Sequence, residues 1–372
     1  MTPALRFSTN AGYGTPDSRP PEQVHRDAID LAVRAEELGY HSVSLSEHHF
    51  SDYVGVPNPA VVAAAIAART ERIRISINIS VLPLHNPVTV AEDYALLDVI
   101  SGGRVDFGCG RGYQPGEFKG HGVTLGESRE RMNEAIEIVR GLWAEDDFSY
   151  QGEHFQVDHL TLFPKPVQDP MPVRVAGVSP ESFEAVAAMK LPLLCAPSIT
   201  PLNKIKQSLD IYREALRSHG EDPADYSITL PQWVYIAETD EEAFSAPRAS
   251  MEWFQRRNSE LMTAGILPTD PGYDFYSKAQ RNRANFDYER YFDEGVFLFC
   301  TPDEAVRRLR EKVELLGVTE VLCAFHASTF GETLENMARF AEQVMPAFTD
   351  DDAVAATPSD DRAPVPASAA GA

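Results

Sequence analysis

The sequence predicts an α/β protein, a (β/α)8 TIM barrel, on three observations. Candidate strands alternate with candidate helices along most of the 372 residues, and such alternation requires a parallel sheet. Eight candidate strands can be counted, the number that closes a barrel of this class. Polar and glycine-rich segments follow several of them, as they do at the C-terminal mouth where barrel enzymes carry their active sites.

The alternation is visible in the hydrophobic periodicity. Residues 22–38 place apolar side chains at helical spacing, and Gly39 follows at a position typical of a helix C-terminus. The candidate strands are 5–9, 41–45, 74–81, 105–109, 173–176, 191–195, 228–236 and 320–325. The candidate helices between and after them are 22–38, 59–69, 88–100, 128–143, 181–189, 202–218, 303–316 and a final helix that ends at 344.

Two insertions and a tail complete the predicted architecture. Residues 148–157 read as a hairpin inserted before the fifth strand, with Gln151-Gly152 at its turn. Residues 265–299 form a long loop before the eighth strand, of the kind used as a lid or binding loop. We expect one domain over residues 1–348, and a disordered tail over 349–372, which is rich in Asp, Ala, Pro and Ser.

Composition limits the classes of function. A formal charge of −23 argues against nucleic acid and anionic membranes as partners, because their phosphates would be repelled. The longest apolar run, residues 60–68, is too short to cross a bilayer, and residues 1–10 show no export signal. The four cysteines lack metal-ligand spacing and a disulfide framework. A cytoplasmic protein is the expectation.

The most reactive triplet is Glu47-His48-His49, directly after the second strand. An imidazole can move a proton near neutral pH, and a neighbouring carboxylate can fix its tautomer. This favours His48 and Glu47 as catalytic residues. Both histidines satisfying buried polar groups is an equally good interpretation of the spacing. A pair of histidines without a third ligand nearby predicts no metal site.

Two further segments are candidates for binding an anion. Arg111 lies between glycines after the fourth strand, and its planar guanidinium suits a phosphate. The stretch from Gly177 and Val178 into Ser179 and Ser182 joins a strand end to a helix start, where free amides attract anions. A surface ion pair for the arginine and an ordinary capped helix are the alternatives.

Several short motifs resemble bacterial luciferase and its relatives, in register from about residue 5 to 348. They are Glu-His-His-Phe at 47–50, Asn-Pro at 58–59, Val-Leu-Pro at 81–83, Pro87, Ala91-Glu92-Asp93, Leu97-Asp98, Gly103-Arg104, Arg111-Gly112, Gly272-Tyr273-Asp274-Phe275, Thr301-Pro302 and Met345-Pro346. The resemblance implies a barrel-fold flavin monooxygenase. Such an enzyme takes FMNH2 from a separate flavin reductase, adds O2 at flavin C4a, and uses the C4a-peroxyflavin to oxidise a small organic substrate.

The resemblance also implies roles for individual residues. His48 matches the family's catalytic histidine and Arg111 its phosphate-binding arginine. The pair Asn78–Ile79 matches a non-proline cis peptide under the flavin ring.

Three departures from the family pattern concern the phosphate and the substrate. Acidic or hydroxylic phosphate ligands of the family are replaced by Gly177, Val178 and Glu181, so backbone amides with Ser179 or Ser182 would bind the phosphate instead. Gly110 stands where the family has a reactive cysteine. Asn86 stands where it has a histidine, although His85 lies one place earlier. These departures argue against light emission and a long-chain aldehyde substrate.

Assembly and two rival functions complete the expectations. Helices 59–69 and 88–100 match the family's dimer interface, so a homodimer is expected with His49 of one subunit paired to Glu92 of the other. A solvated Glu92 and a locally packed His49 are the alternative. A deazaflavin-dependent oxidoreductase of the same fold and a non-catalytic flavin-binding subunit are the rival functions. The long segment 265–299 favours the catalytic form.

Overall fold

A computed structural model describes residues 5–12, 14–17, 19–51, 55–195, 201–263 and 286–348. Its strands are β1 (Arg6–Ala11), β2 (Ser42–Leu45), β3 (Arg74–Val81), β4 (Val105–Gly110), β5 (Phe148–Gln151), β6 (Gln156–Leu160), β7 (Val173–Gly177), β8 (Leu193–Cys195), β9 (Ile228–Ile236), β10 (Leu298–Cys300) and β11 (Glu320–Phe325). Eight of them pair in parallel in the order β9-β11-β1-β2-β3-β4-β7-β8, and β8 pairs with β9 to close the barrel. The predicted (β/α)8 barrel is confirmed.

Helices surround the barrel, and eight of the twelve described helices lie at nearly the predicted positions. They are α1 (Pro21–Glu37), α2 (Pro59–Ala67), α3 (Pro87–Ser101), α4 (Pro115–His121), α5 (Ser128–Ala144), α6 (Pro180–Ala188), α7 (Leu202–Ser218), α8 (Asp240–Ser245), α9 (Arg248–Thr263), α10 (Tyr288–Asp293), α11 (Pro302–Leu316) and α12 (Phe330–Gln343). Proline at the first position of α2, α3, α6 and α11 starts each helix where its missing N–H costs nothing. No described helix is both long and apolar enough to span a membrane.

The predicted hairpin is present as the antiparallel pair β5–β6, closed by a hydrogen bond from Gly152 N to Phe155 O of 2.9 Å. The predicted long loop needs correction. Residues 264–285 lie outside the described residues, as does the tail 349–372, but residues 286–299 contain α10 and most of β10. The short run Phe297–Cys300 is buried and apolar, which explains why it forms a strand.

A ninth strand, β10, pairs in parallel with β9 outside the eight strands of the barrel, and the length of β9 explains why. β9 is nine residues long, whereas β8 is three and pairs only with Ile228 and Thr229. The far end of β9 is therefore left without a neighbour on that side. β10 takes this place, with Leu298 opposite Val234 and Cys300 opposite Ile236. A three-residue strand is too short to show a period in the sequence.

A network of charged side chains fills the barrel interior near the N-terminal ends of the strands. Arg174 Nη1 lies 2.9 Å from Glu320 Oε2, and Arg74 Nη2 lies 2.5 Å from Asp106 Oδ1. Burial alone would raise the pKa of Glu320, but the charge of Arg174 lowers that pKa to about 2. Burial opposes ionisation of Asp106 as well, yet the charges of Arg74 and Arg174 hold its pKa at about 2. Both carboxylates are thus ionised inside the barrel.

Apolar side chains pack on the outer face of the same strands, against the helices. Phe7 of β1 meets Phe340 of α12 edge to face at 5.3 Å, and Phe107 of β4 meets Trp143 of α5 in the same way at 5.2 Å. Such aromatic pairs contribute beyond their buried area. The hydrophobic core therefore lies between the sheet and the helices.

Replacing Arg174 with Met should destabilise the fold strongly. Glu320 would remain buried at 1% exposure without its partner, and breaking a buried pair in this way costs about 3–5 kcal/mol. The measurement is the free energy of unfolding from urea denaturation. Arg307→Ala, which breaks an exposed pair with Glu304, is the control and should leave the midpoint near that of the parent. Equal midpoints for both variants would refute a structural role for the network.

Candidate active site

The residues predicted to form the site lie at the C-terminal ends of neighbouring strands. Glu47 and His48 follow β2, Asn78 and Ile79 lie in β3, Arg111 follows β4, Gly177 ends β7, and Val178, Ser179 and Ser182 lead from β7 into α6. These four strands are consecutive in the sheet, so the structure brings the predicted residues to one side of the barrel mouth.

The end of β3 forms a close-packed platform. The Asn78–Ile79 peptide bond is cis, which the family resemblance implied. Asn78 Nδ2 donates a hydrogen bond of 3.0 Å to Ser44 Oγ, while its buried Oδ1 has no partner among the described residues. A Cβ added at Gly108 would lie 2.8 Å from that Oδ1, and one at Gly110 would lie 2.3 Å from Ile79 Cδ1. Only glycine allows β4 to lie this close to the platform.

His48 is held by a buried carboxylate that the sequence did not identify. Its Nδ1 lies 3.0 Å from Glu117 Oε1, and the same oxygen accepts a hydrogen bond of 2.9 Å from the His49 amide. Gln114 Nε2 lies 3.2 Å from Nδ1 as well, but it could donate only to an unprotonated Nδ1, whereas the carboxylate of Glu117 requires a proton there. With Nδ1–H donating to Glu117, Nε2 of His48 keeps a lone pair that no described residue engages. The imidazole can then accept a proton at that atom.

Glu47 makes its contacts away from His48. Oε2 accepts hydrogen bonds from Val81 N at 2.9 Å and Ser80 Oγ at 3.2 Å, and Oε1 accepts from Nε2 of His49 at 2.8 Å and of His85 at 2.6 Å. Burial would raise the pKa of Glu47, but the bonds from the two imidazoles lower it to about 2. Glu47 is ionised, and these contacts make it a positioning residue.

His49 packs within its own subunit. The sequence placed it outward, toward α2 and α3, yet it is buried at 7% exposure and its ring lies 4.4 Å from that of His121. The local packing left open as an alternative therefore occurs. One ligand atom each from Glu47, His49 and His85 lie within 4.8 Å of one another, a spacing that could also hold a metal ion. The absence of a metal remains a prediction, as does pairing with Glu92 of a second subunit.

The predicted phosphate segment is ordered by its own hydrogen bonds. Ser179 caps α6 by accepting from Ser182 N at 3.3 Å, and the amides of Val178 and Ser179 each donate to Ser182 Oγ at 2.9 Å. An anion at this turn would share these amides with the Ser182 hydroxyl. Arg111 lies half-buried at the end of the adjacent β4.

Glu117, Gln114 and His85 are the site residues that sequence reasoning left without a role. Glu117 and Gln114 lie in and before α4, a helix of seven residues that shows no clear period. A signal was present, because Gln114-Pro115-Gly116-Glu117 has proline at a helix start and a carboxylate in the first turn. Nothing in the sequence shows that this carboxylate reaches a histidine 69 positions earlier.

Comparison with known proteins agrees with the fold. A family model described as luciferase-like monooxygenase matches residues 5–320. The alkanal monooxygenase alpha chain of the Kryptophanaron alfredi symbiont is 27% identical over 336 residues, which cover 87% of this chain and 93% of that protein. The oxygenase component of the flavin-dependent trigonelline monooxygenase from Acinetobacter baylyi is 28% identical over 354 residues, covering 90% and 92%.

A solved structure gives the same answer. A monooxygenase from Streptomyces bottropensis superposes with a TM-score of 0.78 at 30% identity, covering 93% of this chain and all of its own. The resemblance found in the sequence is thereby confirmed. Because the family match extends over most of the barrel and includes the ends of β2, β3, β4 and β7, this chain belongs to the luciferase-like monooxygenase family.

Proposed function

We propose that the protein is a flavin-dependent monooxygenase that uses FMNH2 and O2 to oxidise a small organic substrate. The observation that carries the proposal is the His48–Glu117 pair at the mouth of a barrel of this family. The relative named an oxygenase component supports a separate flavin reductase as the partner that supplies FMNH2. The O2 chemistry is that implied by the sequence resemblance.

The mouth fits a flavin on two observations. The buried Oδ1 of Asn78 has no partner among the described residues, and an acceptor of this kind suits a ring N–H. Gly108 and Gly110 let β4 pack directly against Asn78 and Ile79, which holds the platform in place for a flat ring system. Arg111 would bind the phosphate, with Ser179 and Ser182 beside it. When bound, the reduced flavin supplies the electrons that activate O2.

The protein's own contribution is to position groups and handle a proton. Glu117 keeps the Nδ1–H tautomer of His48, so Nε2 can take a proton from a substrate or from the reduced cofactor. Glu47 ties this segment to the end of β3 through the Val81 amide and holds the ring of His49. A preorganised base of this type avoids reorganisation during the reaction.

Arg111→Ala should weaken binding of FMN by about 1.5–3 kcal/mol, the contribution of a charge-assisted hydrogen bond. Riboflavin has no phosphate, so its affinity should hardly change. Isothermal titration with both flavins measures this difference. Arg217→Ala, at an exposed site on α7, is the matched control. Unchanged FMN affinity in Arg111→Ala would show that the phosphate binds elsewhere.

Glu117→Gln should lower the rate of substrate oxidation by roughly 10- to 100-fold with little change in flavin affinity, as expected for loss of a group that orients a histidine. The readout that a merely structural role would not alter is the tautomer of His48, observed by 15N NMR. Glu130→Gln, on the exposed face of α5, controls for loss of charge. The assignment fails if the tautomer of His48 is the same in Glu117→Gln and the parent.

The rival functions make different predictions for one experiment. Anaerobic protein loaded with FMNH2 is mixed with O2 in a stopped-flow instrument, and the absorbance of the flavin is followed. A monooxygenase should give a transient flavin absorbance that differs from both the reduced and the oxidised flavin. A deazaflavin-dependent oxidoreductase should give no such transient with FMNH2 and should bind the deazaflavin more tightly than FMN. A non-catalytic flavin-binding subunit should bind FMNH2 without the transient, and the ordered His48–Glu117 pair argues against it.

A homodimer through α2 and α3 is part of the proposal. These helices expose apolar side chains to solvent: Val61 at 65%, Leu96 at 48%, Val99 at 40% and Ile100 at 52%. A second copy of the chain would cover them in a two-fold contact. Glu92 is exposed on the same helix as three of them and stays our proposed partner for His49 across the interface.

Ile100→Glu should shift the protein toward monomer at micromolar concentration, because it places a charge in an apolar contact. Glu92→Ala should act in the same direction if the cross-subunit pair forms. Sedimentation velocity over a dilution series measures both. Ile211→Glu, on the exposed side of α7, is the control. Parent-like sedimentation of both variants would exclude α2 and α3 as the interface.

A further inference from the structure

A second hollow at the barrel mouth is not used by the residues above. It is a cavity of 160 Å³ between β1, β9, β11, α1, α9 and α12, on the opposite side of the mouth from Arg111. It lies close to His48, because Gly12 of its wall accepts a hydrogen bond of 2.9 Å from Gly55 N. Gly55 in turn packs so closely on His48 that an added Cβ would lie 2.7 Å from the His48 Cβ.

Aromatic rings form one wall of this cavity. Trp233 and His326 are stacked, with ring centroids 4.5 Å apart and an angle of 29° between the planes. Phe254 meets both of them edge to face, at 4.9 Å and 5.3 Å. Trp253 and Phe330 also line the cavity. A flat stack flanked by ring edges is the arrangement into which another aromatic ring packs best.

The described wall carries no unpaired charge. Burial lowers the pKa of His326 to about 3, so its imidazole is neutral near pH 7. Asp27 is the other ionisable group on the wall, and it is paired with Arg19 and accepts a hydrogen bond of 2.9 Å from Gln23. A charged ligand would therefore lose its hydration without gaining a counter-charge.

One polar atom gives the cavity a preference for a donor. Asn10 Oδ1 is buried on the wall and has no hydrogen-bond partner among the described residues. A ligand with an O–H or N–H would satisfy this acceptor. The volume also limits the ligand: a cavity of about 150 Å³ holds one benzene ring, and because this cavity is partly open, a second ring can extend out of it.

We propose that this cavity binds the substrate, and that the substrate is an uncharged, planar aromatic compound of one or two rings with an O–H or N–H donor. The inference rests on the proposed function, because His48 next to the cavity is the group that would handle the proton. It adds the substrate class and names Trp233, His326 and Asn10 as the residues that select it.

The test is a titration of the full-length chain, with and without oxidised FMN, by four probes. 2-Naphthol should bind at one site. Decan-1-ol, which is not planar, and naphthalene-2-carboxylate, which is charged, should bind at least tenfold more weakly. 2-Methoxynaphthalene, which lacks the donor, should bind about tenfold more weakly. Comparable affinity for decan-1-ol or the carboxylate would overturn the proposal.

Variants locate the binding. Trp233→Leu should weaken 2-naphthol about tenfold, and Trp233→Phe should restore most of the affinity if the leucine variant folds poorly. Asn10→Ala should remove the difference between 2-naphthol and its methyl ether. Phe163→Leu, an aromatic change at an exposed site, is the control. Parent-like binding by Trp233→Leu and Asn10→Ala would contradict the site. Failure of FMN to bind would contradict the proposed function separately, because 2-naphthol is also titrated without it.

Discussion

Two buried carboxylates hold the segment that follows β2, and the geometry of the site depends on them. Glu47 ties this segment to the end of β3 through Val81 and His85, and Glu117 ties it to α4 through His48 and the His49 amide. A buried charge is tolerated only where several donors surround it. The donors that surround these two carboxylates therefore also fix the backbone, and they set the position of His48.

The side chains that fill the barrel interior differ between the N-terminal and the C-terminal ends of the strands. Near the strand starts it is filled with ion pairs around Arg174 and Glu320, while the apolar packing lies outside the sheet. This network of ion pairs is costly to rearrange, because removing any member leaves another charge unpaired. The barrel mouth is different: it has glycines, an Asn78 amide oxygen that no described residue bonds, and a wall of aromatic rings. A rigid interior near the strand starts and an open mouth at the strand ends suit a site that holds a flat cofactor and a second molecule.

The sequence predicted the barrel well because the spacing of apolar residues shows which face of each strand or helix is buried. That spacing can be recognised within each element alone. Strand ends also placed His48, Asn78 and Arg111 at one edge, since parallel strands carry their C-terminal ends together. The sequence could not predict contacts between residues far apart in the chain. The contact of Glu117 with His48 and the stacking of Trp233 on His326 depend on how different β/α units are arranged around the barrel. Alternation along β2 did not show that His49 would be buried against Glu47 and His121 of its own subunit.

The position of the tryptophans has an optical consequence. The chain has three, and Trp143 is buried with its Nε1 bonded to Ala91 O, far from the hollow at the mouth. The other two, Trp233 and Trp253, both line that hollow. A ligand that enters the cavity would change the surroundings of two of the three tryptophans. The intrinsic fluorescence of the protein therefore reports whether the cavity is occupied, without an added label.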